Sequence, residues 1–201
     1  MLTPPTTAQV LAHLRGYPAD VSWGDYKPVA TSPDGVSNAY TEARFNVSYD
    51  LKVIIDSGNY RVSNVLVTVT KIKGNMWAVR GAAARTAALL KHEQGHFDIV
   101  GLCARDLCRE LLAIGYDVKE IAKNPDAGST QVERNDYVWG LAQPIVEEAV
   151  DRANALSASL GGDDGKYDTE TDHSNNATGQ TKWNDLLRRS RLNDIVLATL
   201  V

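Results

Sequence analysis

The sequence predicts an α+β protein. Two observations carry this: β-branched, alternating segments gather between about residues 39 and 73, and long helical periodicities follow from about residue 80. With 201 residues, 43% of them hydrophobic, the chain is long enough to bury one sizeable core. We therefore read a single domain over 1–201, with a sheet-rich half at about 17–78 and a helical half at about 79–190.

The first element is a short helix in "TTAQVLAHLRGY", with Thr6 as cap, Gln9 at the capping-box position and Gly16 as its stop. His13, on this helix, reads as a surface or packing residue. In "ARFNVSYDLKVIID", Phe45, Val47 and Tyr49 alternate with polar neighbours; in "YRVSNVLVTVTKIK", Val65, Val67 and Val69 share one side. "DSGN" between them is a turn signal, so two antiparallel strands are expected. A helix is expected from about Arg80 to Ile114, where Leu89, Leu90, Phe97, Val100, Leu107, Leu111 and Ile114 recur at helical spacing. "KNPDAGST" reads as a loop, and "QPIVEEAVDRANALSASLGG" as a helix with Pro144 near its first turn. "GGDDGKYDTETDHSNNATG" reads as an irregular loop, and "QTKWNDLLRRS" as a short last helix with Trp183, Leu186 and Leu187 facing inward. The expected packing is a small antiparallel sheet against the long helix, with the later helices on its other side.

Bulk properties narrow the function. A net charge of −4 gives no electrostatic reason to expect nucleic acid as a partner. No segment reaches the roughly 20 apolar residues that span a bilayer. The N-terminal "MLTPPTTAQVLAHLRGY" lacks the basic flank and apolar run of a signal peptide, so the cellular address stays open. Cys103 and Cys108 lie about 140° apart on a helix, which speaks against a mutual disulfide and for small buried side chains.

The chemistry gathers in "LLKHEQGHFDIV". Residues four apart on a helix sit about 40° apart around it and roughly 6 Å along it, so His92 and His96 present two imidazoles to one ion. Glu93 lies beside that face, placed to take a proton from a water that the ion acidifies. This is the HExxH arrangement of zinc hydrolases. A catalytic zinc takes a third protein ligand and keeps a fourth position open. The metzincin pattern needs glycine at 99 and histidine at 102, where this chain has Ile99 and Leu102. Glu120, Glu147 and Glu148 are available, but not in thermolysin-like surroundings. On spacing alone, His173 reads equally as a ligand or as a solvated loop histidine. Asp98, about 200° from His96, reads as solvated or paired with an arginine.

Two blocks, "LLKHEQGHFDIVGLCAR" and the set Tyr167, Asp168, Thr171, His173, Gln180, Trp183 and Asn184, resemble a bacterial family of domains of unknown function described as predicted secreted zinc-dependent proteases. "VSWGDYKPV" and "NMWAVR" resemble its earlier segments, so the likeness covers most of 21–185. The departures are Ser174, where the family has glycine, the extra residues "NNAT", and the missing secretory leader. The resemblance implies a zincin-like fold and a secreted or periplasmic address. It also implies one zinc ion per chain held by His92, His96 and His173. Tyr167 becomes a candidate oxyanion donor or a packing residue, while Asp168 and Asp172 become candidate acceptors that orient a ligand imidazole, or else turn and capping residues of the loop. The expected activity is hydrolysis of peptide bonds in a protein or peptide substrate, with Glu93 as general base. The alternative is a non-catalytic zinc-binding envelope or partner-binding module of the same fold. The oligomeric state is unconstrained.

Overall fold

Thr6 starts the first helix in the computed structural model, α1 (Thr7–Ala12), and the expected capping box forms: Gln9 N–H donates to Thr6 Oγ1 and Thr6 N–H to Gln9 Oε1. The structure describes residues 4–50, 53–81 and 83–201. The strands are β1 (Leu14–Arg15), β2 (Lys27–Val29), β3 (Ala39–Tyr40), β4 (Ala43–Ser48), β5 (Val53–Asp56), β6 (Asn59–Val62), β7 (Leu66–Lys71), β8 (Trp77–Val79) and β9 (Gly115–Asp117). The further helices are α2 (Ala87–Ala113), α3 (Val118–Lys123), α4 (Gln131–Gly161), α5 (Lys166–Thr171) and α6 (Ala177–Asn193).

The protein is α+β, with small sheets and several helices. The sheet differs from expectation: the described residues form three three-stranded sheets, of order β1-β7-β4, β2-β8-β3 and β5-β6-β9, and two of them contain a parallel pair. The "DSGN" turn does form a hairpin, with Asp56 opposite Asn59 and positive φ at both Ser57 (50°) and Gly58 (77°), as a type I′ turn requires. It joins only β5 to β6, because each of the two long strands expected from the sequence is broken. The Asp50 carboxylate accepts from Ser63 Oγ and Asn64 Nδ2, and Asn64 is left-handed at φ 50°. Two- and three-residue strands such as β1 and β3 are too short for alternation to reveal.

The chain divides into two compact units. The first holds residues up to Arg15, Asn46–Thr68 and Arg105–Ala153. Its core gathers Val53, Tyr60, Ile121, Ala127 and Val138, with Tyr116, Tyr137 and Trp139 packed against them. The second holds Gly16–Phe45, Val69–Ala104 and Asn154–Val201. It contains the β2-β8-β3 sheet, where Ala78 lies between Pro28 and Ala39, and it buries Tyr17, Phe97, Ile99, Tyr167 and Trp183.

Helix boundaries also moved. α2 begins at Ala87, with Thr86 Oγ1 accepting from Leu89 N–H, so the alanine-rich lead-in falls outside the helix. α4 begins at Gln131, about three turns before the expected start at Gln143. Thr130 Oγ1 accepts from Glu133 N–H and Glu133 Oε2 accepts from Thr130 N–H, which is a capping box. Pro144 therefore lies inside the helix, where it gives up one backbone bond. The expected irregular loop contains α5, and the extra "NNAT" residues become the cap and start of α6, with Asn176 Oδ1 accepting from Gly179 N–H.

Candidate metal centre

His92, Glu93 and His96 sit on the part of α2 that belongs to the second unit, and all three are buried. The spacing-derived expectation that the imidazoles share a face is met: their Nε2 atoms are 3.2 Å apart. Two tyrosines reach this stretch of helix through glycine notches. A Cβ on Gly95 would collide with the hydroxyl end of Tyr167, and one on Gly101 with the ring of Tyr17.

The other side of the site comes from α5. Three of its six residues, Tyr167, Asp168 and Thr171, are buried. Tyr167 stacks on His92 (4.7 Å, 12°) and meets His96 and Trp183 edge-on at 4.9 and 5.3 Å. Its hydroxyl donates to His92 O (3.0 Å) and accepts from Gln180 Nε2 (2.8 Å). The residue considered as an oxyanion donor is thus fully buried behind the imidazoles, with its hydroxyl proton committed to the backbone of α2. Burial first, then the charge of Glu93, pushes its phenol well above the ordinary value.

The hydrogen bonds fix both tautomers. Gln180 donates its amide hydrogens to Tyr167 Oη and Asn184 Oδ1, so its Oε1 is the acceptor facing His92 Nδ1 at 3.1 Å. Thr171 donates to Tyr167 O and offers a lone pair to the same Nδ1 at 3.3 Å. His96 Nδ1 faces Gly161 O at 3.1 Å. Each Nδ1 therefore carries the proton of the neutral ring, and each Nε2 turns a lone pair inward, as in metal-binding histidines.

Both lone pairs face one atom. Asp168 Oδ1 is 3.1 Å from His92 Nε2 and 3.0 Å from His96 Nε2, and it is buried with no hydrogen-bond donor among the described residues. Asp168 was expected to accept from a ligand imidazole on its outer side; it lies instead on the inner, Nε2 side. Three electron-rich atoms within 3.2 Å of one another repel unless positive charge lies among them. A proton is one source of that charge. Burial by itself lowers the His96 pKa, but Asp168 and Glu93 outweigh it and raise the net value. Burial likewise acts to raise Asp168, yet the two imidazoles hold its carboxyl well below the usual range. A metal ion is the other source, and the donor set fits one. Two ligand atoms on a tetrahedral zinc with bonds of 2.0–2.1 Å stand roughly 3.3 Å apart.

His173 joins from the end of α5. Its Nδ1 is 3.6 Å from Asp168 Oδ1, and donor atoms of His92, Asp168 and His173 all lie within 4.8 Å of one another, close enough to hold one metal ion. Its side chain is 35% exposed, and the backbone of Asp172, His173 and Ser174 runs at positive φ (49°, 47° and 78°). Ser174 thus adopts at φ 78° the conformation that glycine fills most easily. Asp172 ends α5 as an exposed left-handed cap and, among the described residues, accepts no hydrogen bond from a histidine. Glu93 Oε2 is buried and has no hydrogen-bond partner in the described structure. Asp98 is buried rather than solvated, held by Gln94 (3.0 Å) and facing Arg191 at 3.6 Å.

Gln180, Thr171 and the Gly161 carbonyl are the orienting partners that sequence reasoning passed over. Gln180 and Thr171 belonged to the late block but carried no assigned role, and a backbone carbonyl leaves no mark in a sequence. No protein-family model, curated protein or solved structure matches this chain. The functional reading therefore rests on these residues and their geometry.

Proposed function

We propose that this chain is a zinc-dependent peptidase of zincin type. The observation that carries the proposal is the convergence of His92 Nε2, His96 Nε2 and Asp168 Oδ1 within 3.2 Å, beside the buried Glu93 carboxylate, whose Oε2 has no hydrogen-bond partner among the described residues. A structural metal site needs no such carboxylate. His92 and His96 would hold the ion together with the late block, and Gln180, Thr171 and Gly161 O keep the two rings aimed at it. Bound there, zinc would supply Lewis acidity that acidifies water and polarises a substrate carbonyl. Glu93 would act as general base, since an acceptor with no competing partner is free to take a proton from an incoming water. Tyr167 carries no chemical step; it locks α5 and α6 to α2.

One observation favours the alternative, a non-catalytic zinc-binding module. Four side chains converge, and four protein ligands make a closed structural site. The experiment that decides is metal analysis with hydrolysis of an unstructured protein such as casein. About one zinc per chain is expected, with hydrolysis lost on chelation and in Glu93→Gln, while Glu93→Gln keeps its metal. A Glu93→Gln variant as active as wild type on a verified substrate removes the base assignment. A metal-free protein removes the whole reading.

A further inference from the structure

Resting on that reading, we infer that Asp168, and not His173, is the third protein ligand of the ion held by His92 and His96, so that the site keeps an open position on the His173 side. The resemblance to zinc-dependent proteases had pointed to His173, and three observations separate the two residues.

The first is position. Asp168 Oδ1 completes a triangle with the two Nε2 atoms whose edges are 3.0, 3.1 and 3.2 Å, whereas His173, whose Nδ1 stands 3.6 Å from that oxygen, has among the described residues no hydrogen bond to either imidazole. Asp168 is buried, while the His173 side chain is about one-third exposed.

The second is orientation. A ligand imidazole normally donates its other N–H to a fixed acceptor, which sets tautomer and aim. His92 has Gln180 Oε1 and Thr171 Oγ1, and His96 has Gly161 O. His173, among the described residues, has no partner other than the Asp168 carboxylate. It projects from three successive left-handed residues at the end of a helix, whereas Asp168 sits inside α5 between the two residues, Tyr167 and Thr171, that pin this helix to His92.

The third is an unmet need. A buried carboxylate oxygen without a donor is destabilising unless a cation compensates it. Asp168 Oδ1 is such an atom, and among the described residues the nitrogens that approach it are the two Nε2 atoms of His92 and His96 and, farther off, His173 Nδ1. Taking Asp168 as ligand satisfies it and gives a His-His-carboxylate set. That is one of the arrangements in which catalytic zinc retains a free position. The apparent four-donor closure then disappears.

The test uses cobalt as a spectroscopic stand-in and cysteine as a reporter ligand. Asp168→Cys and His173→Cys are each loaded with Co²⁺, with wild type as the blank for the native Cys103 and Cys108. A thiolate-to-cobalt charge-transfer band is expected in Asp168→Cys and not in His173→Cys. In parallel, His173→Ala is expected to keep about one zinc per chain with its Kd changed by less than about fivefold. Asp168→Ala is expected to weaken binding by more than the roughly 100-fold upper range of outer-shell partners. Circular dichroism confirms the fold of each variant. A band in His173→Cys, alone or in both variants, overturns the inference, as does loss of zinc from a folded His173→Ala. Those outcomes leave one zinc per wild-type chain, and with it the peptidase reading, untouched. If wild type takes up no metal, or His92→Ala binds as tightly as wild type, the metal site itself is refuted.

Discussion

Replacing Gly95 by alanine tests how the site is held. In a bare helix the change is favourable by about 0.8–1.0 kcal/mol, because glycine is the weaker helix former. Here the new Cβ falls onto Tyr167, overlapping its hydroxyl and Cζ and reaching 2.9 Å from Cε1. To restore ordinary contact the ring must retreat by about 1 Å. It has nowhere to go: its hydroxyl is bonded to His92 O and Gln180, one face lies on His92, and Trp183 meets it at 5.3 Å. Overpacking of this kind costs about 1–3 kcal/mol, and leaving the buried hydroxyl bonds unmade adds about 1–3 kcal/mol. After the helix-propensity gain, Gly95→Ala should destabilise the protein by about 1–5 kcal/mol. Because α5 also carries Asp168, metal affinity should fall with it. Urea denaturation measures the first effect and chelator competition the second. Tyr167→Leu, which shortens the side chain, should make the double variant less unstable than the sum of the two single changes. A Gly95→Ala protein as stable as wild type would refute the account of Tyr167 as the wedge between α2 and α5.

Gln180→Leu removes the acceptor at His92 Nδ1 and should weaken zinc binding about 10–100-fold in chelator competition; an unchanged Kd would show that Thr171 alone orients the ring. Ser174→Gly relieves a left-handed residue at φ 78° and should stabilise by about 0.5–1 kcal/mol, seen as a melting temperature about 2 °C higher; no rise would mean that the turn is unstrained. Asp25 tests pH dependence. Burial alone would raise its pKa, but Lys73, the Ser22 N–H and Lys71 hold it well below the carboxylate range. A depressed folded pKa gives stability that is complete above the ordinary carboxylate pKa and lost as pH falls towards the folded value. Asp25→Asn should therefore cost about 2 kcal/mol at pH 7, and the deficit should shrink below about pH 4; a deficit constant with pH would refute the ion-pair origin.

What the sequence disclosed follows the range over which its signals act. The i,i+4 spacing of His92 and His96 is local, and the two rings stand together in the structure as that spacing requires. The hairpin at Ser57–Gly58 was legible for the same reason, since two residues able to take positive φ sat between β-branched runs. The start of α4 is equally local, set by the Thr130–Glu133 box, but a proline such as Pro144 is the residue type that also favours a helix's first turn. α5 was hidden by its Gly-, Asp- and Asn-rich surroundings, because its stability comes from burying Tyr167 and Thr171 rather than from helix propensity. Asp168 illustrates the limit. Its type and chain position were visible, but which edge of an imidazole it would face depends on a long-range packing arrangement that no spacing encodes.

The wide separation of α2 and α5 along the chain has a thermodynamic consequence. His92 and Tyr167, the neighbour of the carboxylate, are 75 residues apart, so an unfolded chain offers an ion little more than the helix pair of histidines. An ion gripped from both segments acts as a reversible cross-link that offsets the entropy of closing that long loop. At saturating levels, each tenfold rise in free metal then adds about 1.4 kcal/mol to the resistance of the chain to unfolding, so metal supply would govern its survival.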